Sequence, residues 1–166
     1  TLEIPLLIDF PCPLRVHGGY TREQIQVALG KSTLTKKSSG REGVERNKEF
    51  NVEAMFVDLN KTERDYSPTT MYNDYALSET LFHWQSQNSA NEESSVGTAY
   101  ISEQNRMLLF VREQKKDEYN NTMGYIFLGE VTYVSHYGNR PMNIRWKLKT
   151  PMPALLWDFA GKLAVG

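Results

Sequence analysis

The chain has 166 residues, of which 40% are hydrophobic and 23% charged, and its formal net charge is -1. This length and composition predict one folded domain over residues 1–166 and exclude a disordered chain. The nearly balanced charge excludes a protein that coats nucleic acid by bulk attraction. No apolar run approaches the roughly 18 residues of a membrane helix, so we expect no membrane partner. The N-terminal stretch does not have the pattern of a signal peptide and a single cysteine cannot form an intrachain disulfide, so we expect a cytoplasmic location. The start at Thr1 rather than Met suggests a fragment of a longer polypeptide.

A short helix is predicted near the N-terminus. Thr21 and Gln24 have the spacing of a capping box, and Gly30 lies where a helix commonly ends. The apolar residues of this segment recur at helical spacing. They are Ile25, Ala28 and Leu29.

The following segment, Lys31–Lys48, is rich in Ser, Thr, Gly and charge, which predicts an exposed loop. From Phe50 the hydrophobic period changes to that of a strand. Val52, Ala54 and Phe56 would share one face of that strand.

A Ser67-Pro68 step then interrupts the pattern, and Thr69 or Thr70 would cap a short helix through Tyr75 and Leu77. Residues 81–87 are predicted to form a strand with Phe82, Trp84 and Ser86 on one side. Residues 88–97 are polar and predict a loop.

Three stronger strand patterns follow, and a helix is predicted at the C-terminal end over Pro153–Leu163. The strands are expected at 107–113, 125–134 and 142–149. About six strands, few helices and mostly hairpin connections predict an α+β, mainly β fold. The architecture would be a curved sheet or small barrel with flanking helices.

The usual catalytic and cofactor motifs do not occur in the sequence. It contains no Walker-type glycine loop, no G-x-S-x-G elbow and no H-E-x-x-H. His17, His83 and His136 are widely separated, so we expect no metal site. Cys12 is the one cysteine, and a small buried side chain is a better interpretation of it than a nucleophile paired with His17 or His83. We therefore expect no enzyme activity and no cofactor.

The densest mixture of aromatic and polar residues lies in Tyr66–Asn88. Such a mixture suits a pocket that stacks a planar ring and binds its edge by hydrogen bonds. The alternative interpretation is ordinary core and rim packing, in which no ring is available to a ligand. The sequence alone leaves both open.

At this segment the chain closely resembles a C-terminal domain, long catalogued as of unknown function, of bacterial proteins that fuse a phospholipase-D-type nuclease to a DEAD/DEAH-type helicase. Some members of that group resemble type IV restriction enzymes of the SauUSI kind. The resemblance extends from Pro11 to about Leu156. Its matching stretches are PCPLRVHGGYTREQI, FVDLNK, YSPTTMYNDYALSETLFHWQSQ, LLFVRE, YIFLGEVTYVSH and GNRPMNIRWKL.

The resemblance implies an SRA/PUA-like fold and a non-catalytic module that binds duplex DNA. It implies recognition of 5-methylcytosine or 5-hydroxymethylcytosine, with the modified base flipped out of the duplex. The helicase and nuclease domains of the same polypeptide would then be the partners that the module directs in an ATP-dependent restriction enzyme.

Within that expectation, residues of the Tyr66–Asn88 segment are candidates for the base pocket and exposed cations are candidates for phosphate contacts. Trp84 with Tyr75 or Tyr66 would sandwich the base, and Asp74 would accept a hydrogen bond from the cytosine amino group. His83, Gln85 and Ser86 would complete the edge contacts. The phosphate candidates are Lys36, Lys37, Arg41, Lys61 and Arg64, with Arg112, Lys115, Lys116 and Arg140 as weaker ones.

Three alternatives stay open, of which the last is a free-standing enzyme with His, Asp and Gln in a pocket, disfavoured by the missing catalytic motifs. In the first, the chain docks onto the helicase or another protein and has no base pocket. In the second, the chain recognises a different DNA mark, such as a phosphorothioate or a glucosylated base, through a pocket of different size and polarity.

Overall fold

The computed structural model describes residues 2–5, 12–30, 44–47, 49–59, 74–86, 90–154 and 156–157. Ten strands and two helices lie in these ranges. In chain order they are β1 Ile4–Pro5, β2 Arg15–Val16, β3 Gly19–Tyr20, α1 Arg22–Ala28, β4 Val44–Asn47, β5 Val52–Asp58, β6 Tyr75–Ser78, β7 Leu81–Gln85, α2 Ser95–Ile101, β8 Arg106–Arg112, β9 Tyr125–Tyr137 and β10 Asn143–Leu148.

Most strands belong to one eight-stranded sheet with the order β4-β5-β8-β9-β10-β7-β6, to which β3 adds by pairing with β9. Strands β5 and β8 are parallel, whereas the other pairs are antiparallel. Strands β1 and β2 form a separate antiparallel pair. The predicted fold class, α+β and mainly β with helices beside a sheet, is confirmed.

The sheet separates two hydrophobic cores. All seven residues of β5 are buried, because β5 lies inside the sheet with apolar side chains packed on both faces. One core contains Val52, Ala54 and Phe56 together with Ile25 and Leu29 of the α1 region. The alternation that the sequence predicts for β5 therefore corresponds to two buried faces rather than to one buried and one exposed face.

Strand β9 is 13 residues long and links the two halves of the sheet. It pairs with β8 near its start and with β10 near its end, and both ladders contain a register shift. Gly129 lies at the first irregularity with φ +91, a conformation that residues with a Cβ rarely adopt. A Cβ there would also approach the Val16 side chain to 3.2 Å. Such bulges bend a strand and help to curve a sheet.

Helix α1 forms as predicted. The Thr21 side chain accepts a hydrogen bond from the Gln24 backbone N–H at 3.2 Å, and the Gln24 side chain accepts one from the Thr21 N–H at 2.9 Å. Leu29 ends the helix and Gly30 follows with φ +73. Ile25 and Leu29 are fully buried, so the capping box and the apolar stripe both agree with the sequence.

Three predictions of local structure are wrong. Val44–Asn47, within the predicted basic loop, forms strand β4 because it pairs with β5 at the edge of the sheet. Tyr75–Ser78 forms strand β6 rather than the end of a helix, since it forms a hairpin with β7. Ser95–Ile101 forms helix α2, although part of this range was predicted as loop.

The other predicted elements agree in part. Strand β7 ends at Gln85, two residues before the predicted end, while β8, β9 and β10 lie close to their predicted bounds. Of the C-terminal helix, Ala154, Leu156 and Trp157 are helical, and the Trp157 backbone N–H donates to Pro153 O at 2.9 Å. The rest of that helix and the proposed cap at Thr69 or Thr70 lie outside the described residues.

Helix α2 begins over a tightly packed loop. Ser94 is its cap and accepts a hydrogen bond from the Gly97 N–H at 3.0 Å. The Asn91 side chain accepts hydrogen bonds from the backbone N–H groups of Glu93 and Ser94. A Cβ on Gly97 would lie 1.9 Å from Asn91 O, so only glycine fits between the helix and this loop.

We expect Gly97→Ala to lower the free energy of unfolding by about 1–3 kcal/mol, because backbone atoms must move to admit the methyl group. In an ordinary helix interior the same change stabilises by about 1 kcal/mol. Urea unfolding measures the effect. Ser95→Ala, at an exposed position of the same helix, is the control and should stay within about 0.5 kcal/mol of the unsubstituted chain. Stabilisation by Gly97→Ala would contradict the close packing of Asn91 on α2.

Candidate functional site

Four neighbouring strands, β6, β7, β10 and β9, present one polar and aromatic surface that we call the outer face. Side chains of a strand alternate between the two sides of a sheet. In β10, Ile144, Trp146 and Leu148 are buried in the core, so the residues between them point to the other side. The strand registers then identify the rest of this side. The outer face comprises Tyr75, Ser78, Leu81, His83, Gln85, Thr132, Ser135, Tyr137, Asn143, Arg145 and Lys147.

Three rings of the outer face form an aromatic cluster, defined as Tyr75, His83 and Tyr137. The Tyr75 and His83 rings are stacked, with centroids 4.6 Å apart and an interplanar angle of 16°. His83 Nε2 and the Tyr137 hydroxyl are 3.2 Å apart and share a hydrogen bond. His83 is only 3% exposed, whereas Tyr137 is 54% exposed. The cluster therefore presents the Tyr137 ring to solvent and holds it through a buried imidazole.

An amide pair lies beside the aromatic cluster. Gln85 Nε2 donates a hydrogen bond to Asn143 Oδ1 at 3.0 Å, and Asn143 is the cross-strand partner of Tyr137. The Gln85 backbone N–H donates to Asp74 Oδ1 at 2.9 Å. These bonds connect β7 to β10 and to the residue before β6, and so fix the position of the amide groups next to the exposed ring.

The structure brings part of the predicted base pocket together. Tyr75, His83 and Gln85 lie on the outer face within one hairpin, as the predicted alternation of β7 requires. Asp74 is buried and accepts the Gln85 N–H. Ser86 is also buried, and its hydroxyl accepts the Met142 N–H at 2.9 Å. These two side chains thus position the backbone around the outer face.

Trp84 lies on the opposite side of β7, in the core. It is 4% exposed, contacts Tyr100 edge-on at a centroid distance of 5.4 Å, and lies 6.3 Å from the Trp146 ring. This location differs from the open stacking surface that a base sandwich requires, and it follows from strand alternation, because Phe82 and Trp84 share the side opposite His83. Trp84 is therefore a core residue in this structure.

The structure describes only the weaker candidates among the predicted phosphate contacts. Lys36, Lys37, Arg41, Lys61 and Arg64, together with Tyr66 of the base pocket, lie outside the described residues. Of the weaker candidates, Arg140 is exposed in the turn before β10, and Lys115 and Lys116 lie in the hairpin between β8 and β9.

The fourth weaker candidate, Arg112, is a buried structural residue. Its Nε donates to Asp58 Oδ1 at 2.5 Å and its Nη2 to Asp58 Oδ2 at 3.3 Å. The guanidinium also lies 4.4 Å from the centroid of the Tyr125 ring. Because this charge is already paired inside the protein, the prediction of a phosphate contact at Arg112 is wrong.

The sequence analysis did not identify Tyr137, Asn143, Arg145 and Lys147 as site residues. A usable signal was present in β10, where N-I-R-W-K-L alternates polar and apolar residues without a break. That alternation predicts a polar side for β10. It does not reveal that the polar side faces His83, because the pairing of β7 with β10 joins residues about 60 positions apart.

The described residues offer no sign of a thiol nucleophile or a metal centre. Burial raises the pKa of the Cys12 thiol, which is opposite to what a reactive thiolate requires. Burial also lowers the pKa of His17. No three His, Cys, Asp or Glu side chains in the described ranges gather as metal ligands. In the same part of the chain, no helix has both the length and the apolar character needed to cross a bilayer.

Comparison with known proteins gives a structural likeness and a family. No curated protein matches the sequence. A crystal structure of Arabidopsis thaliana SUVH6 in complex with SAM is similar over 86% of this chain, with 11% sequence identity and a TM-score of 0.48. This chain spans 27% of the length of that one. A family model described as a domain of unknown function (DUF3427) matches residues 14–160. The chain therefore belongs to the DUF3427 family.

Proposed function

We propose that this chain is a non-catalytic DNA-binding module that recognises a modified cytosine, 5-methylcytosine or 5-hydroxymethylcytosine, in duplex DNA. The observation that carries the proposal is the aromatic cluster, in which a half-exposed Tyr137 ring is held by buried His83 beside an amide pair. The resemblance of the sequence to nuclease-helicase fusion proteins supports the wider context. In that context the module directs an attached ATP-dependent restriction nuclease.

The chemistry of the outer face matches that of a flipped base. Stacking of a base on an aromatic side chain contributes about 1–3 kcal/mol, and any base has a face to stack. Flipping costs a few kcal/mol, so hydrogen bonds to the base edge must add to the stacking. The amide groups of Gln85 and Asn143 contain both donors and acceptors, as a base edge requires. The methyl group adds only about 0.8 kcal/mol, so the expected discrimination is several-fold to tens-fold.

The cluster divides into one contact residue and two positioning residues. Tyr137 stacks on the base through its exposed ring. His83 fixes that ring through the bond between Nε2 and the Tyr137 hydroxyl, and Tyr75 covers the imidazole from the other strand. Asp74 keeps Gln85 in place through the backbone N–H. This assignment moves the stacking role from Trp84 to Tyr137.

The test is fluorescence anisotropy of the chain with matched duplexes containing cytosine, 5-methylcytosine or 5-hydroxymethylcytosine at two salt concentrations. One modified duplex should bind more tightly at both salts. Tyr137→Leu should weaken that complex by about 5- to 150-fold, which corresponds to the loss of one stacked base. Tyr137→Phe retains the ring but loses the hydroxyl bond to His83, so it should weaken the complex less than Tyr137→Leu does.

Tyr119→Leu is the matched control, because Tyr119 is 78% exposed in the hairpin that precedes β9, whereas Tyr137 ends that strand. Equal binding of all three duplexes by the unsubstituted chain would reject a reader of modified cytosine. Equal effects of Tyr137→Leu and Tyr119→Leu would reject the outer face as the site. Failure to bind any duplex would favour a domain that docks onto another protein.

A further inference from the structure

The outer face continues from the aromatic cluster along β10 as a row of polar and basic side chains. Asn143 lies between Gln85 and Tyr137, Arg145 between His83 and Ser135, and Lys147 between Leu81 and Thr132. Arg145 and Lys147 are exposed, while Trp146 between them is in the core. We call Arg145 and Lys147 the basic strip.

The charges of the basic strip are not neutralised by the protein where the structure describes it. No hydrogen bond or ion pair joins either side chain to another described residue. The positions of the outer face include no carboxylate. Farther along β9, Glu130 is ion-paired with Lys149, so its charge is already balanced. The outer face therefore has a local positive charge, although the chain as a whole has a formal net charge of -1.

We propose that the basic strip binds the phosphodiester backbone of the DNA strand whose base is recognised at the aromatic cluster. This inference rests on the proposed function and adds two phosphate contacts that the proposed function does not include. Two residues of an antiparallel strand span about 7 Å. A DNA strand has one phosphate per about 3.4 Å of helix axis, so the two cations reach different phosphates of one strand.

The alternation of buried and exposed residues in β10 explains why this strand suits phosphate binding. Its buried residues, Ile144 and Trp146, fix the backbone in the core, and this fixes the line along which the two cations project. Arg145 is directly opposite His83, the residue that holds Tyr137. A DNA backbone that follows the basic strip therefore passes the exposed Tyr137 ring. A base flipped out of that strand then lies next to the ring.

The experiment uses the chain with Arg145→Gln and Lys147→Gln together, and measures binding to the same three duplexes over a range of salt concentrations. Each phosphate contact contributes about 0.9 to the slope of log affinity against log salt. We expect the slope to fall by about 2 for all three duplexes. We also expect the affinity to fall by the same factor for each duplex, so that the preference for the modified base remains.

Arg15→Gln with Arg106→Gln is the matched control, because it removes the same charge at two exposed positions that belong neither to the outer face nor to the phosphate candidates. This control should leave the slope of log affinity against log salt unchanged if the loss in the strip variant comes from contacts of Arg145 and Lys147. Arg145→Lys with Lys147→Arg retains the charge and should retain the slope. Circular dichroism of each variant confirms folding, which is expected since both side chains of the strip are exposed.

The outcomes separate the two proposals. An unchanged slope in the double variant, with preference for the modified duplex intact, overturns the basic strip and leaves the reader function standing. A lower slope in a chain that never distinguishes the three duplexes supports the strip as a DNA contact and overturns the reader. Equal losses in the strip variant and the Arg15/Arg106 control overturn the strip, because the loss of net charge alone then explains them. Absence of DNA binding by the unsubstituted chain overturns both.

Discussion

Arg112→Met is expected to lower the free energy of unfolding by about 3–5 kcal/mol, because it leaves a buried carboxylate without its guanidinium. The side chains of Arg112 and Asp58 are only 9% and 5% exposed. Arg112 also donates to Met123 O at 3.2 Å and covers the Tyr125 ring. The parallel strands β5 and β8 end at this pair, so its loss weakens the junction on which the sheet depends.

Urea unfolding of Arg112→Met measures this cost. Arg112→Lys keeps the positive charge without the bidentate geometry and should show an intermediate loss. Asp58→Leu combined with Arg112→Met removes both charges, and we expect this double variant to be more stable than Arg112→Met alone. If Arg112→Met unfolds with the same free energy as the unsubstituted chain, the buried ion pair is not a determinant of stability.

Trp84→Ala is expected to cost about 3–5 kcal/mol of stability, as truncation of a buried tryptophan usually does. The ring lies in the core with Tyr100 and Trp146, so its removal opens a cavity between β7, β10 and α2. The lost contacts are internal. Weaker DNA binding by this variant should therefore follow unfolding and should affect modified and unmodified duplexes alike.

Trp84→Phe separates stability from recognition. This variant keeps an apolar ring in the core, so we expect a smaller loss of stability and an unchanged preference among duplexes. Tyr119→Ala, which truncates an exposed aromatic residue, should stay within about 0.5 kcal/mol of the unsubstituted chain. Selective loss of modified-base binding by folded Trp84→Phe would contradict the assignment of Trp84 to the core and return it to the base pocket.

Local signals predict the elements that are determined by local contacts. Thr21 and Gln24 identify the start of α1 because the capping box is a contact between residues three positions apart. The alternation in β5 and β10 identifies both strands because each has a continuous buried side. These elements would be found in any sequence with the same pattern, whatever the rest of the fold.

Elements that depend on distant partners were missed. In α2, Val96, Thr98 and Ile101 are β-branched and Gly97 is a poor helix former, so local propensity opposes the helix. The helix forms because Ser94 caps it and Ala99 and Tyr100 are buried. Strand β4 is similar, since its apolar content is low and its order comes from pairing with β5.

The candidate site shows the same division. His83 and Gln85 were predicted on one side of a strand because the alternation of β7 is visible in the sequence. Tyr75 was predicted from the aromatic and polar mixture of Tyr66–Asn88, although the strand that carries it was missed. Tyr137 and Arg145 were not, because their place next to His83 is set by the register between β7 and β10. Trp84 was assigned to the pocket because an aromatic residue among polar neighbours gives no indication of which side of a strand is covered.

The topology of the sheet also bears on how fast the protein folds. The candidate site needs two hairpins from separate parts of the chain, since His83 and Tyr137 are 54 residues apart in sequence. The parallel pairing of β5 with β8 likewise joins residues 54 positions apart, as at Val52 and Arg106. Loop closure over such separations slows folding, and domains dominated by non-local strand pairs fold in milliseconds to seconds. Neither hairpin as an isolated peptide would contain the site, so DNA recognition by the outer face would arise only once the long-range pairing is complete.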